Sequence, residues 1–222
     1  METTNYIIAF YGGLRRHYGI YSPIEEFLFK HIEFLKTSPK GITHATFVFN
    51  ESNHPQEGDI LVSLEKLDLP MTYEVVRRPN EGLSYGAWGD VIYETRNKFD
   101  YSFLIEDDYI PVQNDFLDYF KSKITEKSLF ICSLFRDDHA AIANGLFVNK
   151  LSNPNRIFSN VTGTGYQAGY TAQKGFLQEY QSQGFTFPDI IDIGYTEFRD
   201  DNKIINIYGD TSKPLLIHPI IK

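Results

Sequence analysis

The chain has 222 residues, of which 42% are apolar, and 21 basic side chains stand against 29 acidic ones. This length and apolar content suffice for one sizeable core, so we predict a single domain spanning 1–222. The net charge of -8 and the lack of a long Lys/Arg cluster exclude nucleic acid as an expected partner.

The start of the chain carries no targeting signal that we recognise. Met1 to Asn5 lack a basic segment, and the apolar run after them is too short for a signal peptide or a membrane span. The single cysteine, Cys132, lies in an apolar run and has no partner for an internal disulfide, which suits a reducing compartment. We therefore expect a cytoplasmic protein without a membrane span.

The first half of the chain alternates apolar runs with helical patterns. Short apolar runs that end in polar or glycine-containing segments predict strands at 6–11, 45–49, 73–76 and 101–105. Ser22-Pro23 followed by two glutamates predicts a helix from there to about residue 35, and a second helix is expected at 84–97.

The second half is less regular. We predict a helix at 115–123, strands at 129–135 and 145–148, a glycine-rich turn at 162–169 and a helix at 171–181. Strands that alternate with helices indicate an α/β fold with a mostly parallel central sheet and helices on both faces. In such sheets, ligands bind beyond the carboxyl ends of the strands.

Three adjacent acids, Glu106-Asp107-Asp108, follow the strand predicted at 101–105. Like charges repel and carboxylates resist burial, so a cation would relieve the conflict. In an extended chain Glu106 and Asp108 point to one side and Asp107 to the other, and their hard oxygens suit Mn²⁺ or Mg²⁺ bridging a diphosphate. A solvated acidic turn is the alternative explanation.

The segment Arg78-Pro79-Asn80-Glu81-Gly82-Leu83-Ser84-Tyr85-Gly86-Ala87, followed by a helix, by the acidic triplet and by Pro111, carries a family resemblance. It resembles the heart of the inverting GT-A glycosyltransferases, in which a strand leads to an Asn-x-Gly segment and a second strand to an Asp-x-Asp signature. The resemblance implies a Rossmann-like GT-A fold with a nucleotide-sugar-binding half at 1–110 and an acceptor-binding half at 111–222.

The resemblance also implies roles for residues at the strand ends. Asp108 becomes the firmest metal ligand, Glu106 a ribose or water-mediated metal contact, and Asp107 the member that faces the donor sugar. Two further positions match by order alone and are expected to hold the nucleotide base and ribose: Phe10-Tyr11-Gly12-Gly13 at the first strand and its loop, and Asn50-Glu51 at the end of the second. Arg78, which begins the matched segment, is expected to supply charge to the diphosphate. Among the arginines we favour Arg78, because a guanidinium pairs well with phosphate oxygens.

Inverting transfer needs a carboxylate base downstream of the acids. By its place in the chain, the resemblance implies Asp189, Asp192 or Glu197, and we rank Asp192 first; each is also explained as a turn or capping residue. Many metal-using members of the family place a late histidine on the metal, which implies His218, although a packed or exposed tail histidine is the more common explanation of such a residue.

We therefore expect a metal-dependent glycosyltransferase that uses a nucleotide-sugar donor, of the UDP- or GDP-sugar kind. Its acceptor would be a glycan, a lipid-linked sugar or a glycoprotein. Two alternatives stay open. Gly12-Gly13-Leu14-Arg15-Arg16 faintly resembles the nucleotide loop of sugar-phosphate nucleotidylyltransferases, and the aromatic-rich chain also suits an inactive carbohydrate-binding domain.

Overall fold

A computed structural model describes most of the first half of the chain and several strands of the second half. The described residues are 2–11, 15–17, 20–22, 24–52, 55, 57–126, 130–132, 144–149, 171, 178, 182, 195–200, 203–208 and 216–219. In chain order their elements are β1 (Thr4–Tyr11), β2 (Arg15–His17), β3 (Ile20–Ser22), α1 (Ile24–Lys36), β4 (His44–Asn50), α2 (Glu57–Leu64), β5 (Thr72–Arg78), α3 (Leu83–Thr95), β6 (Tyr101–Glu106), β7 (Ile110–Pro111), α4 (Phe116–Lys121), β8 (Phe130–Cys132), β9 (Asn144–Val148), β10 (Tyr195–Asp200), β11 (Lys203–Tyr208) and β12 (Leu216–Pro219).

The central sheet has six strands in the order β5-β4-β1-β6-β9-β8. Strands β5, β4, β1 and β6 run parallel, whereas β9 runs antiparallel to both of its neighbours. Seven of the eight residues of β1 are buried, as befits a strand with a neighbour on each side and helices above and below. The predicted α/β class with a mostly parallel sheet is confirmed.

Helices cover both faces of this sheet. Side chains from α1, α2 and α4 share one core with Tyr6, Ile8 and Phe10, which project from alternate positions of β1. Helix α3 contacts β1, β4 and β6, and it buries Trp88, Val91 and Ile92 outside that core, on the opposite face. Because successive side chains of a strand point to opposite faces, β1 has two apolar faces. One packs against α1, α2 and α4, and the other packs against α3.

A second, antiparallel sheet joins the C-terminal strands to the middle of the chain in the order β10-β11-β12-β7. None of its C-terminal strands was predicted from the sequence. A signal was present: β10 and β11 pair from Tyr195↔Tyr208 to Asp200↔Lys203, with two residues between them, which is the spacing of a hairpin.

The predicted elements of the first half agree with the structure to within two residues at most boundaries. Helix α2 was missed, although acids in its first turn, Glu57 and Asp59, are a start signal. The turn predicted at 162–169 lies outside the described residues, as does most of the helix predicted at 171–181. Across the described ranges, no helix is long and apolar enough to cross a bilayer.

An aromatic cluster holds α4 against the central sheet, with Phe103 of β6 at its centre. Phe103 is fully buried, stacks on Tyr6 at 5.8 Å between ring centroids, and meets Phe116 and Phe120 edge-on at 4.8 and 5.0 Å. Edge-to-face pairs of this kind add to the free energy gained by burial alone. The cluster therefore couples β1, β6 and α4 into one unit.

We expect Phe103→Ala to lower the free energy of unfolding by about 3–5 kcal/mol, because it removes a buried ring and leaves a cavity. Urea denaturation of the purified protein measures this. Phe29→Ala is the matched control: that ring is 54% exposed, so its loss should change stability by well under half as much. Equal losses for the two variants would contradict the packing described above.

Candidate functional site

The carboxyl ends of four parallel strands meet along one edge of the central sheet. Tyr11 at the end of β1 is opposite Asn50 of β4, Asn50 is opposite Arg78 of β5, and Ala9 is opposite Glu106 of β6. The fold thus brings together four of the residues proposed from sequence to hold a nucleotide or metal. This edge is where parallel sheets bind their ligands.

Glu106, Asp107 and Asp108 form a turn rather than a continued strand, and we call these three residues the acidic turn. Strand β6 ends at Glu106, and the Tyr109 N–H donates to the Glu106 carbonyl at 3.2 Å. The expected alternation of the three side chains is therefore wrong, because it holds only for extended chain. Both aspartates are 1% exposed.

Asp107 is tied to the end of β1 through both its main chain and its side chain. Its N–H donates to the Ala9 carbonyl at 3.1 Å, and its Oδ2 accepts from the Tyr11 N–H at 3.4 Å. Hydrogen bonds to a carboxylate favour its ionised form. The acidic turn is thus anchored to the central strand of the sheet.

Glu106 is linked instead to the start of α3. The hydroxyl of Ser84, in the first turn of that helix, donates to Glu106 Oε1. Just before it, Gly82 and Leu83 have φ angles of 71° and 55°. Glycine adopts this left-handed conformation freely, but for leucine it costs about 1–3 kcal/mol. The tight, strained entry to α3 places Ser84 beside the acidic turn.

Arg78 of β5 is held in a cradle formed by β4 and α3. Its Nη1 donates to Asn50 Oδ1 and its Nε to Asp90 Oδ2, each at 2.7 Å, and its side chain is only 11% exposed. The guanidinium lies against Gly86 of α3, where a Cβ would come within 2.8 Å of Nη2 and 2.1 Å of the Glu81 carbonyl. A planar cation is thereby fixed at the sheet edge, with donors left for a ligand.

A neutral histidine lies beneath the acidic turn. His31 of α1 is fully buried, and its Nε2 is 2.9 Å from the carbonyl oxygen of Asp107. Its Nδ1 is 2.9 Å from the Tyr6 hydroxyl. Burial lowers the pKa of His31 to about 3, and this outweighs the opposing effect of Asp108. His31 therefore adds no positive charge to the site at neutral pH.

The structure locates the other predicted residues unevenly. Phe10 packs edge-on against Phe49 in the core at 5.0 Å, so its side chain is not at the sheet edge and only its main chain can meet a ligand there. Tyr11, the next residue, is half-buried at that edge. Gly12, Asp189 and Asp192 lie outside the described residues.

Glu197 and His218 belong to the second sheet. Glu197 lies in β10 opposite Asn206, three strand spacings from β7, or about 14 Å between backbones. It is a strand residue and not the loop residue expected. His218 follows Ile217, which pairs with Ile110 of β7, so in this antiparallel pair it lies one step nearer to Asp108. Backbone register thus favours His218 as a neighbour of the acidic turn.

Four residues around the site were not identified from sequence: His31, Ser84, Gly86 and Asp90. Ser84 and Gly86 lay within the matched segment but carried no stated role. His31 follows Phe27 and Leu28 on the buried face of α1, and a polar residue on such a face is a usable signal. Asp90 gives no sequence signal. The contact described for it is with Arg78 of β5, and no local pattern marks a helix residue for such a contact.

Solved structures share this fold. A cytidylyltransferase from Leptospira borgpetersenii serovar Hardjo-bovis matches 99% of this chain and 83% of its own, at 15% identity and a TM-score of 0.54. A mycobacterial protein matches 86% of this chain and 64% of its own, at 11% identity and a TM-score of 0.50. Such likeness shows the fold, which agrees with the GT-A-like fold expected above. No protein-family model and no curated protein sequence matches the chain.

The Arg78 cradle leaves no room for a methyl group at position 86. We expect Gly86→Ala to destabilise the protein by about 1–3 kcal/mol in urea denaturation, because the new Cβ collides with the Glu81 carbonyl and the guanidinium. Gly58→Ala in α2 is the control, since nothing lies within 4 Å of its Cβ. The free energy of unfolding of that variant should rise by up to about 1 kcal/mol. Unchanged stability of Gly86→Ala would refute the close approach of Gly86 to the Glu81 carbonyl and the Arg78 guanidinium.

Burial of neutral His31 makes the folded state lose stability in acid. Because the unfolded chain takes up the proton at about pH 6.5 and the folded chain only near pH 3, the unfolding free energy falls as the pH drops through that window. The groups described around the ring are the Tyr6 hydroxyl, the Asp107 carbonyl and the Asp108 carboxylate. Between pH 6.5 and 5 most carboxylates stay ionised. Over this range the unfolding free energy of His31→Gln should fall by about 1–2 kcal/mol less than that of wild type. Parallel stability curves would show that His31 is protonated when folded.

Proposed function

We propose that this protein is a glycosyltransferase that moves a sugar from a nucleotide-sugar donor to a hydroxyl acceptor, with a divalent metal ion assisting. The observation that carries the proposal is the pair of buried carboxylates, Asp107 and Asp108, at the ligand-binding edge of the parallel sheet. Folding gains nothing from placing two adjacent acids there, because both must leave water. A ligand that brings positive charge explains their position.

The residues present fit a small, hard cation. Mn²⁺ and Mg²⁺ prefer carboxylate oxygens, and Mg²⁺ is commonly held by one or two carboxylates together with substrate phosphates. Within the part of the chain that the structure describes, no three acidic, histidine or cysteine side chains converge on one point. Asp108 and Glu106 of the acidic turn would hold the proposed ion, and the donor diphosphate and His218 would supply further ligands. Bound there, the ion neutralises charge on the departing nucleoside diphosphate.

The surrounding residues are proposed to bind different parts of the donor. Asp107, fixed to β1, is the member of the acidic turn proposed to face the sugar. Arg78, oriented by Asn50 and Asp90, offers its remaining N–H donors to an anion or to the nucleotide. Tyr11 presents a half-buried ring at the strand end, where the base or ribose is proposed to lie.

The proposed transfer proceeds with inversion. The acceptor oxygen forms a bond to the anomeric carbon from the face opposite the diphosphate, the bond to the diphosphate oxygen breaks with its electron pair, and the acceptor proton passes to a carboxylate. We propose Asp192 as that base, with Glu197 as the alternative.

Nucleotidylyl transfer is the second candidate. The observation that favours it is the fold shared with a cytidylyltransferase over 99% of this chain. In that reaction a sugar-phosphate oxygen would attack the α-phosphorus of a nucleoside triphosphate and release pyrophosphate. Both reactions need a nucleotide and a divalent ion at the sheet edge. The site by itself therefore does not distinguish one reaction from the other.

A paired assay separates the candidates. The protein is incubated with Mn²⁺ and either nucleotide sugars plus saccharide acceptors or nucleoside triphosphates plus sugar 1-phosphates. Release of a nucleoside diphosphate in the first mixture supports glycosyl transfer, and pyrophosphate in the second supports nucleotidylyl transfer. Saccharide binding without turnover in either mixture would indicate a binding domain and overturn the proposal.

Nucleotide affinity should depend on both Mn²⁺ and Asp108. Asp108→Asn keeps the shape of the side chain but removes its charge, so we expect calorimetric affinity for the preferred nucleotide to fall about 100-fold or more, as it should with excess chelator. Asp118→Asn, on the exposed outer side of α4, is the matched control and should bind normally. Unchanged binding by Asp108→Asn would remove the metal assignment.

A further inference from the structure

We infer that His31 is a positioning residue: it fixes the peptide unit between Asp107 and Asp108 and thereby sets the direction of the two carboxylates. The expected effect of His31 on metal-assisted donor binding rests on the proposed function. The positioning of the peptide unit by His31 does not. His31 is contributed by α1, on the helical layer beneath the sheet edge, and is fully buried.

The two ends of Asp107 are anchored to different elements. Its N–H donates to the Ala9 carbonyl of β1 at 3.1 Å, and its carbonyl lies 2.9 Å from Nε2 of His31 on α1. Because a peptide unit is planar, holding the Asp107 carbonyl also fixes the N–H of Asp108 and limits the backbone rotation of that residue. Removing the imidazole would remove the hydrogen bond that holds this peptide unit to α1.

The hydrogen-bond partners determine the tautomer of the imidazole. A carbonyl oxygen only accepts, so Nε2 must carry the proton and donate it. In the neutral ring Nδ1 is then an acceptor, and the Tyr6 hydroxyl donates to it at 2.9 Å. The Tyr6 hydroxyl, His31 and the Asp107 carbonyl form a one-directional chain of hydrogen bonds that favours this tautomer.

The surroundings indicate that His31 does more than fill space. Its neighbours on the buried face of α1 are Phe27, Leu28, Ile32 and Leu35, and Tyr6 packs among Phe34, Phe103 and Phe116. An aliphatic side chain would fill such a site without the cost of burying an imidazole. It would also leave the Asp107 carbonyl without this donor, which is the loss that the histidine prevents.

Hydrogen exchange tests the positioning directly, without substrate. In His31→Leu we expect the amides of Asp107 and Tyr109, which close the acidic turn, to exchange about tenfold faster than in wild type. Amides between β4 and β5 should be unchanged. His31→Gln places an amide N–H where Nε2 lies and an acceptor oxygen beside it, so it should restore slow exchange. Leu35→Val, one turn further along the same buried face, is the control for a general packing defect.

A purely structural role for His31 predicts a different pattern. His31→Leu would then melt at a lower temperature, yet its acidic turn would exchange no faster than its other protected amides, and this result would overturn the inference. If His31→Leu does not fold, Tyr6→Phe decides the question, because it keeps the ring and removes only the hydroxyl that orients His31. Wild-type exchange of the acidic turn in Tyr6→Phe would then count against the inference.

Nucleotide binding supplies the functional readout. The Mn²⁺ concentration for half-maximal nucleotide binding should rise about tenfold in His31→Leu and return toward wild type in His31→Gln, while Leu35→Val stays unchanged. An unchanged Mn²⁺ requirement in a folded His31→Leu with a loosened acidic turn would show that positioning has no bearing on the metal. If wild-type protein binds no nucleotide with Mn²⁺, the proposed function fails, whereas the exchange comparison still decides the role of His31.

Discussion

The burial of Asp107 and Asp108 is the constraint around which the rest of the site is organised. Two adjacent carboxylates at 1% exposure cost free energy that the fold must offset locally. The Tyr11 N–H of β1 donates to the Asp107 carboxylate, the Ser84 hydroxyl donates to Glu106, and a neutral imidazole holds the main chain between the aspartates. The proposed function adds a cationic ligand as their complement.

The same edge holds a positive group that is separated from the acids. Arg78 lies on β5, three strands away from β6 in the sheet order, and its guanidinium binds Asn50 and Asp90 and packs on Gly86. The separation of the two charges along one sheet edge suits an elongated anionic ligand with a diphosphate between its base and its sugar.

The second sheet connects the far end of the chain to this edge. Strand β7 begins two residues after Asp108, and β12 pairs with it, so a segment more than 100 residues away in sequence is brought beside the acidic turn. Antiparallel pairing then orders the C-terminal residues by register: His218 lies near the turn, and Glu197 lies two strands beyond β12. Position along the sheet therefore distinguishes candidates that position along the chain could not.

The sequence by itself determined the α/β class, the main strands of the parallel sheet and the place of Glu106-Asp107-Asp108 at a strand end, because hydrophobic periodicity and turn residues are local signals. Only the tertiary structure decided that the acids form a turn, that Phe10 faces the core, that Arg78 is held by Asp90, and that His31 contacts Asp107. The contacts of Asp107 with Ala9 and His31, and the packing of Phe10 on Phe49, join residues far apart in the chain, and no local pattern encodes such contacts. In the second sheet the pairing of β12 with β7 is likewise long-range, and such pairing is decided by the assembled core and not by the strand alone.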